Sequence, residues 1–281
     1  MKVILSRKGF DSSTGGYPSP ILPDNTLASL PIPDSASNLF YNDLKIDTTN
    51  LFDVMRSLKP SIKASGEWEE LTKKTECHLD PDIDNRLIKR ESGWRGLFGQ
   101  GGAAQKHLEN QGVTADDLFL FFGWFRKTKR KKGKLVFDPQ DKQGRHIIYG
   151  YLQVADILNV PAAADDFPSW MRTHPHLIER RRKIPTNTIY IAREEASWDT
   201  SLPGYGPLDF DEKLVLSKEG YKKSCWDLPD FFRNVKISYH KASRWKEDYF
   251  LSVARGQEFV VESNKEVVQW AKEVINAGKI T

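Results

Sequence analysis

The apolar run from Leu118 to Phe125 (LFLFFGWF) constrains the fold more than any other part of the chain. An aromatic, nearly continuous apolar run of this length is typical of a strand that is buried on both faces of a sheet. A second run of this kind, from His146 to Val154, follows a basic segment. Because a membrane span takes ~20 apolar residues, both runs are too short to cross a bilayer, and a membrane is not an expected partner.

Shorter elements surround these two strands. Hydrophobic periodicity and turn residues predict further strands at 2–5, 27–32, 188–192, 214–216 and 237–239, and a hairpin of 250–253 and 257–261 around Arg255-Gly256. They predict helices at 51–58, from about 103 to 112 and at 266–275, and a loop in the basic segment 127–134. Since the chain has no internal repeat and no clean linker, we expect a single α+β domain over residues 1–281. Its sheet is expected to be mixed and largely antiparallel, or a partial barrel, with flanking helices and long loops.

Composition narrows the class of protein. The 281 residues include 8 Trp, 9 Tyr and 15 Phe, an apolar supply that excludes disorder as the main state. Cys77 and Cys225 form no CxxC pair, and the N-terminus has too few apolar residues for a signal peptide, so we expect a reducing, cytoplasmic location. The net charge of +4 permits a nucleic-acid or nucleotide partner without requiring one.

The loop after the first strand has the composition of a phosphate site. It reads RKGFDSSTGG over residues 7–16. Glycines let backbone N–H groups approach an anion, and the charges of Arg7 and Lys8 suit a phosphate or triphosphate. The hydroxyls of Ser12 and Ser13 add donors. The order of residues is not that of a Walker motif. The alternative is a tight turn in which Gly and Ser only satisfy backbone geometry.

The segment from Cys77 to Asp84 carries alternating carboxylates. In an extended segment Asp80, Asp82 and Asp84 point to one side, a spacing that could hold Mg²⁺ or Mn²⁺ with nucleotide phosphates completing the octahedron. We predict that Asp80 and Asp82 are metal ligands. The neighbouring His78 is a candidate base, a further ligand or a hydrogen-bonded core histidine. An Asx-turn or a solvated acidic face is the structural alternative.

Three other patterns contain candidate polar residues. Gln100 lies in a glycine-rich lead into a helix, where small residues permit close approach of a ligand or close helix packing. Gln257 and Glu258 interrupt a strand-like run, and this pair could bind a base, orient a water or belong to a hairpin turn. The motif His174-Pro175-His176 has two imidazoles but no Cys or acidic neighbour at metal-ligand spacing, which disfavours zinc there.

Two basic segments, 127–134 and 180–183, could each contact several phosphates. A charge-rich hairpin tip is usually a solvated loop, and acidic residues nearly match basic ones in this chain. Duplex DNA is therefore a permitted partner and not a favoured one.

Six motifs occur in an order that resembles one known family. They are VILSRKGFDSSTGGYPSPI at 3–21, HLDPD at 78–82, FGQGGAAQKHL at 98–108, DLFLFFGWFR at 117–126, HIIYGYLQV at 146–154 and GQEFV at 256–260. Together they resemble the nucleotide modification associated domain family, third clade, over nearly the whole chain. The resemblance implies a setting of DNA base hypermodification and phage conflict. It strengthens the expectation that Arg7, Lys8, Asp11, Ser12 and Ser13 form a nucleotide site.

The predicted function is that of an enzyme that modifies a nucleotide or a base in DNA. Nucleotidyl or phosphoryl transfer is the expected reaction, because cations, hydroxyls and clustered carboxylates stabilise a charged phosphate transition state. Asp11, His78 and Glu258 are the expected catalytic residues, and Gln100 and Gln257 the expected nucleotide contacts. A nucleoside triphosphate or DNA, and a partner protein of the same system, are the expected partners. The alternatives are a module that binds modified bases or a nucleotide signal without turnover, and a structural partner protein.

Overall fold

A mixed sheet forms the centre of the fold in the computed structural model, which describes residues 1–46, 48–163, 167–254 and 256–280. The strands are β1 (Val3–Arg7), β2 (Ser19–Ile21), β3 (Ile32–Pro33), β4 (Lys45–Ile46), β5 (Thr49–Asn50), β6 (Ser61–Ala64), β7 (Glu67–Glu70), β8 (Cys77–His78), β9 (Leu97–Gln100), β10 (Leu118–Lys131), β11 (Lys134–Phe137), β12 (Arg145–Asn159), β13 (Thr188–Ala192), β14 (Glu195–Ala196), β15 (Asp199–Pro203), β16 (Tyr205–Pro207), β17 (Cys225–Trp226), β18 (Phe250–Leu251) and β19 (Glu258–Val261). The α-helices are α1 (Leu51–Leu58), α2 (Gly102–Asn110), α3 (Glu179–Arg182) and α4 (Lys265–Ala277).

The main sheet has the strand order β19-β1-β10-β12-β13-β9, with β2 and β11 attached to β10 and β16 attached to β12. β1 and β2 run parallel to β10, and the other pairs of this sheet are antiparallel. No pairing among the described residues closes the sheet into a barrel. Its two end strands are instead joined by a side-chain hydrogen bond of 2.7 Å, which Gln100 Nε2 of β9 donates to Glu258 Oε1 of β19. The predicted α+β fold on a mixed, largely antiparallel sheet is confirmed, whereas the single domain over 1–281 stays a prediction.

The central strand β10 is buried on both faces, as its sequence predicts. Each residue from Leu118 to Phe122 is 0% exposed, because β1 and β12 flank the strand and other side chains cover both faces. On one face the rings of Phe119 and Phe121 lie 5.0 and 5.2 Å from the ring of Phe98 in β9, both edge to face. Such aromatic pairs contribute about 0.5–1.5 kcal/mol each beyond the area that they bury. These contacts connect β10 to β9 across an aromatic interior of the sheet. The polar residues at the end of β9 therefore lie next to closely packed rings.

The predicted helices are present. α1 occupies the predicted residues and stops before Pro60, which cannot continue a helix. α2 begins at Gly102 and ends shortly before Gly112, whose φ of +62° suits only glycine well. α4 begins after Asn264, whose side chain accepts hydrogen bonds from the N–H groups of Glu266 and Val267. Local periodicity and stop signals were sufficient to predict these segments, because each helix buries one face.

The basic segment 127–134 is not a loop, and that prediction is wrong. β10 continues through it to Lys131, and β11 pairs with it in an antiparallel hairpin. The two residues of the turn, Lys132 and Gly133, have φ values of +51° and +78°. Tight two-residue hairpin turns favour positive φ at both positions. β10 extends to Lys131 because the residues of β11, from Lys134 onward, pair with it. The charge of the segment, on which the loop prediction relied, gives no information about this pairing strand.

Several short strand predictions are also wrong. Within 27–32 only Ile32 begins a strand, because Pro31 has no N–H to donate to a ladder. The segment 214–216 contains the end of a 3-10 helix at Leu214 and an isolated bridge at Val215, and the segment 237–239 contains an isolated bridge at Ile237. The segments 250–253 and 257–261 do not pair with each other, since β18 pairs with β17 and β19 pairs with β1. The proposed turn residue Arg255 lies outside the described residues.

The search for membrane spans gives a negative result. None of the helices in the described part of the chain combines the length and the apolar character needed to cross a bilayer.

Candidate functional site

A polar cavity of about 350 Å³ lies at the end of β1, between the loop that follows this strand and the strand β9. Residues far apart in the sequence line it together. Those of the predicted site that do so are Arg7, Lys8, Asp11, His78, Asp80, Gln100 and Gln257. His176, which was not among the predicted site residues, also lines the cavity. The loop after the first strand and the acidic segment 77–84 thus face a single space.

Three side chains in the cavity wall converge on one point. His78 Nε2 and His176 Nε2 each lie 3.8 Å from Asp80 Oδ2, and the three atoms all lie within 4.8 Å of one another. Ligand atoms ~2.1 Å from one tetrahedral ion are about 3.4 Å apart, so a small contraction would let all three bind the same ion. We call these three residues the His-Asp-His cluster.

The two imidazoles of the cluster are oriented from behind. His78 Nδ1 lies 3.1 Å from Asp34 Oδ2, and His176 Nδ1 lies 2.6 Å from Asn187 Oδ1. The amide nitrogen of Asn187 donates to two backbone carbonyls, which fixes its oxygen as the acceptor for His176. Because a carboxylate and an amide oxygen can only accept, Nδ1 of each histidine is the donor in these contacts, and Nε2 of each histidine faces Asp80. A carboxylate or carbonyl behind each ligating imidazole is the usual arrangement in protein metal sites.

Asp80 is held as a carboxylate. Its Oδ1 accepts a hydrogen bond of 2.7 Å from the Gly99 N–H, and His174 Nε2 lies 3.4 Å from the same oxygen. Burial raises the pKa of Asp80, but the neighbouring imidazoles of His174, His176 and His78 outweigh it and hold the pKa below its usual range. Burial lowers the pKa of His176 to about 4, against the opposing pull of Asp80. At neutral pH the cluster thus offers a neutral imidazole and an ionised carboxylate, the protonation states that a metal ion needs.

Gly99 explains how His176 reaches the cluster. The His176 ring lies directly over the backbone of β9, and a Cβ on Gly99 would be 2.3 Å from His176 Cδ2. Any other residue at this position would displace the imidazole. The close approach therefore depends on the glycine of the FGQGG motif.

Part of the second basic segment supports the cluster. Arg180 Nη2 and Arg181 Nη1 lie 3.1 and 2.7 Å from the two carboxylate oxygens of Asp34. Burial raises the pKa of Asp34, but hydrogen bonds from His78 and Arg181 outweigh it and lower the pKa. Asp34 is therefore a charged anchor that links the two arginines to His78.

A buried ion pair lies beside the cavity, at Lys8 and Gln100 of its lining. Lys8 Nζ lies 2.8 Å from Glu258 Oε1, the oxygen that also accepts from Gln100, and the ammonium group lies 4.4 Å from the centre of the Phe98 ring. The Glu258 side chain is 0% exposed, and its second oxygen has no hydrogen-bond partner among the described residues. Glu258 thus compensates the charge of Lys8 from behind the cavity wall.

The remaining predicted residues have local structural contacts. The guanidinium of Arg7 donates to the carbonyls of Val253 and Ala254, both at 2.7 Å, so Arg7 ties the loop before β19 to the cavity. Asp11 Oδ1 accepts from the backbone and hydroxyl of Ser13, as in an Asx-turn.

Ser12 and Ser13 are exposed and are not part of the cavity lining, and Asp82 also lies apart from the His-Asp-His cluster. Both oxygens of Asp82 are bound by the guanidinium of Arg90, because the backbone of Asp82 forms a bridge with Leu97 and turns its side chain away. The three alternating carboxylates do not form one face. The motif His174-Pro175-His176, which the sequence analysis disfavoured as a metal site, supplies the imidazoles that contact Asp80. Its acidic partner is Asp80, which no spacing rule could connect to it.

The fold and the site define an α+β protein with a candidate two-histidine, one-carboxylate centre in a polar cavity. The chain belongs to the nucleotide modification associated domain 3 family, whose model matches residues 2–262. The resemblance seen in the ordered motifs is therefore confirmed, and the family description places the chain in the context of nucleotide modification. Comparisons with curated proteins and with solved structures found no significant match.

Proposed function

We propose that the protein is a metal-dependent enzyme that acts on a nucleotide, either free or within DNA. The observation that carries the proposal is the His-Asp-His cluster with Asp34 and Asn187 behind its two imidazoles. These outer acceptors engage Nδ1 of both histidines, which leaves both Nε2 atoms facing the same carboxylate oxygen, as around a protein-bound metal ion.

The donor set favours a transition metal. Imidazole nitrogen suits Zn²⁺, Fe²⁺ and related ions, whereas Mg²⁺ prefers an all-oxygen octahedron. Of the two predicted ions we therefore retain Mn²⁺, add Zn²⁺, and expect Mg²⁺ to bind weakly. His176 takes the place that the sequence assigned to Asp82. Three protein ligands leave at least one position open for water or substrate, as in catalytic zinc sites.

The charges around the cavity suggest that the metal ion would also help to bind phosphate. Arg7 and Lys8 face the carboxylates of Asp11, Asp80 and Glu258, so the protein alone offers no excess of positive charge. A divalent ion reverses that balance. We therefore expect phosphate groups of the substrate to bind only after the metal.

The reaction we propose is nucleotidyl or phosphoryl transfer in a DNA modification or anti-phage setting. A bound ion polarises a phosphoryl oxygen or lowers the pKa of bound water. Lys8 lies at the cavity wall, where its ammonium can contact a phosphate, and the side chains of Gln100 and Gln257 line the same space for a sugar or base edge. Arg7 positions the loop that carries Gln257.

A binding screen followed by product analysis tests this proposal. Thermal unfolding is measured with Mn²⁺, Zn²⁺ or Mg²⁺ alone and then with ribo- and deoxynucleoside triphosphates or a short DNA duplex. A ligand at ~100 times its Kd adds about 2.7 kcal/mol, enough to detect. We expect Mn²⁺ or Zn²⁺ to stabilise the protein, nucleotide to bind only in their presence, and mass analysis to show a product. A flat response to every ion would contradict the proposal, and binding without product would favour a recognition module.

Replacing Asn187 by Ala is expected to weaken metal binding by ~10–100-fold, because the imidazole of His176 would lose the acceptor that orients it. Asn187→Asp keeps an acceptor for the imidazole but loses the amide N–H groups that bond to the carbonyls of His176 and Arg181, so it should retain more affinity than Asn187→Ala and less than the wild type. Thr186→Ala, on the same segment, is the control for a local disturbance. Calorimetric titration with Zn²⁺ measures the three affinities. Equal losses in the Ala and Asp variants would assign Asn187 a structural role alone.

A further inference from the structure

The basic hairpin formed by β10 and β11 remains unexplained by the proposed site. It is firmly attached to the body of the protein: Thr128 Oγ1 donates to the Ile21 carbonyl at 2.7 Å, and Ser57 Oγ exchanges hydrogen bonds with the backbone of Leu135 at 3.1 and 2.9 Å. The buried side chain of Leu135 adds an apolar contact at its base. The charges near the tip are therefore presented on an ordered ribbon.

Most of the hairpin cations have no compensating carboxylate. Lys129 pairs with Asp138 at 3.2 Å, and Lys127 lies 4.0 Å from Glu212. Four exposed cations have no carboxylate within 4.0 Å in the part of the chain that the structure describes: Arg130, Lys131, Lys132 and Lys134. This contrasts with the segment 180–183, where two arginines bind Asp34.

The register of the hairpin makes this charge unfavourable in the free protein. Lys131 and Lys134 lie directly opposite each other across the two strands. Like charges in such a pair destabilise a sheet. A polyanion that docks against the tip would relieve the repulsion, so the charge arrangement favours a bound partner.

We propose that this hairpin docks against the phosphates of a DNA duplex. A two-stranded ribbon fits the major groove, and side chains on one face of a strand recur every ~6.7 Å, so Lys129 and Lys131, which share a face of β10, can reach successive phosphates. Each neutralised phosphate releases counterions, so the hairpin supplies affinity without reading sequence.

The same strand connects the hairpin to the cavity. The Lys8 N–H donates to the Phe122 carbonyl of β10 at 2.9 Å, and the tip begins at Lys131. The strand between these residues spans about 30 Å, slightly less than one turn of duplex DNA at about 34 Å. A duplex on the hairpin can therefore extend to the cavity, which points to a polynucleotide as the substrate. This last step rests on the proposed function, whereas the docking surface does not.

The test compares two double variants that each remove two exposed cations. Lys131→Gln with Lys132→Gln alters the hairpin, and Lys73→Gln with Lys74→Gln is the matched control on a different loop. Duplex affinity is measured by fluorescence anisotropy between 50 and 200 mM salt. We expect the slope of log affinity against log salt to become shallower by about 1.8 in the hairpin variant, because each lost phosphate contact removes ~0.9. The wild type should therefore lose about 12-fold more affinity than this variant across that range.

Additional experiments distinguish a failure of the docking surface from a failure of the proposed enzyme function. The comparison is repeated on metal-free protein, in which the proposed site is not expected to bind phosphate, so the hairpin alone should set the duplex affinity; absence of duplex binding by the metal-free wild type would overturn the docking surface. Equal salt slopes in the two double variants would also overturn it. So would binding to vesicles rich in anionic lipid in place of the duplex. Duplex binding without turnover would instead count against the proposed enzyme and leave the hairpin surface standing.

Discussion

Replacing His176 by Ala is expected to reduce the affinity for Zn²⁺ or Mn²⁺ by more than ~100-fold and to abolish any metal-dependent turnover. The imidazole supplies one of three converging donor atoms, and loss of an outer partner alone typically costs 10–100-fold. Asp80→Asn should have a similar effect, since it removes the negative charge while keeping an oxygen for the Gly99 N–H. Calorimetric titration of both variants against each ion measures the change.

His107→Ala is the control for this experiment. This histidine bonds to Ser238 and is not among the cavity lining or the His-Asp-His cluster. It should leave the metal affinity unchanged. Wild-type affinity in His176→Ala would contradict the metal centre, whereas equal loss in His107→Ala would show that the ion binds elsewhere or that folding is impaired.

Replacing Glu258 by Ala is expected to lower the free energy of unfolding by about 3–5 kcal/mol, because the ammonium of Lys8 would remain buried without a partner. The side chains of Lys8 and Glu258 are only 10% and 0% exposed, so solvent can replace only part of the lost interaction. Urea denaturation of the metal-free protein measures this change. The effect should appear without nucleotide or metal.

A double variant separates the structural and catalytic roles of Glu258. Lys8→Met with Glu258→Leu removes both charges and should recover most of the lost stability, since apolar replacement of a buried ion pair is often close to neutral. Recovery of stability without recovery of turnover would indicate that the pair also serves the reaction. If Glu258→Ala were as stable as the wild type, the buried pair described above would not exist in solution.

Segments whose structure depends on their own residues were predicted well. The apolar run from Leu118 to Phe122 predicts its own burial, and α1 and α4 each carry an apolar face and a stop signal within a few residues. The same holds for β13, which occupies the predicted residues 188–192. In these cases burial of apolar area selects the element, and few tertiary alternatives compete.

Segments that depend on a distant partner were not predicted. The basic hairpin exists because Lys134–Phe137 returns to pair with β10, and the segment 250–251 pairs with 225–226 instead of its neighbour along the chain. Charge and local hydrophobicity say nothing about which strand will supply hydrogen bonds. The pairing partner is selected by the whole core.

By itself the sequence determined that this is a sheet protein with a polar loop after its first strand. It also identified His78 and Asp80, two positions apart in the chain, as candidate site residues. Only the tertiary structure brought His176 to them, because β13 pairs with β9 and Gly99 leaves room for the ring. It also turned Asp82 toward Arg90 and, within the described part of the chain, left four of the hairpin cations with no carboxylate within 4.0 Å. Ligands and charge partners act over a few ångströms in space, and residues that are far apart in the chain reach that distance only after the sheet has formed.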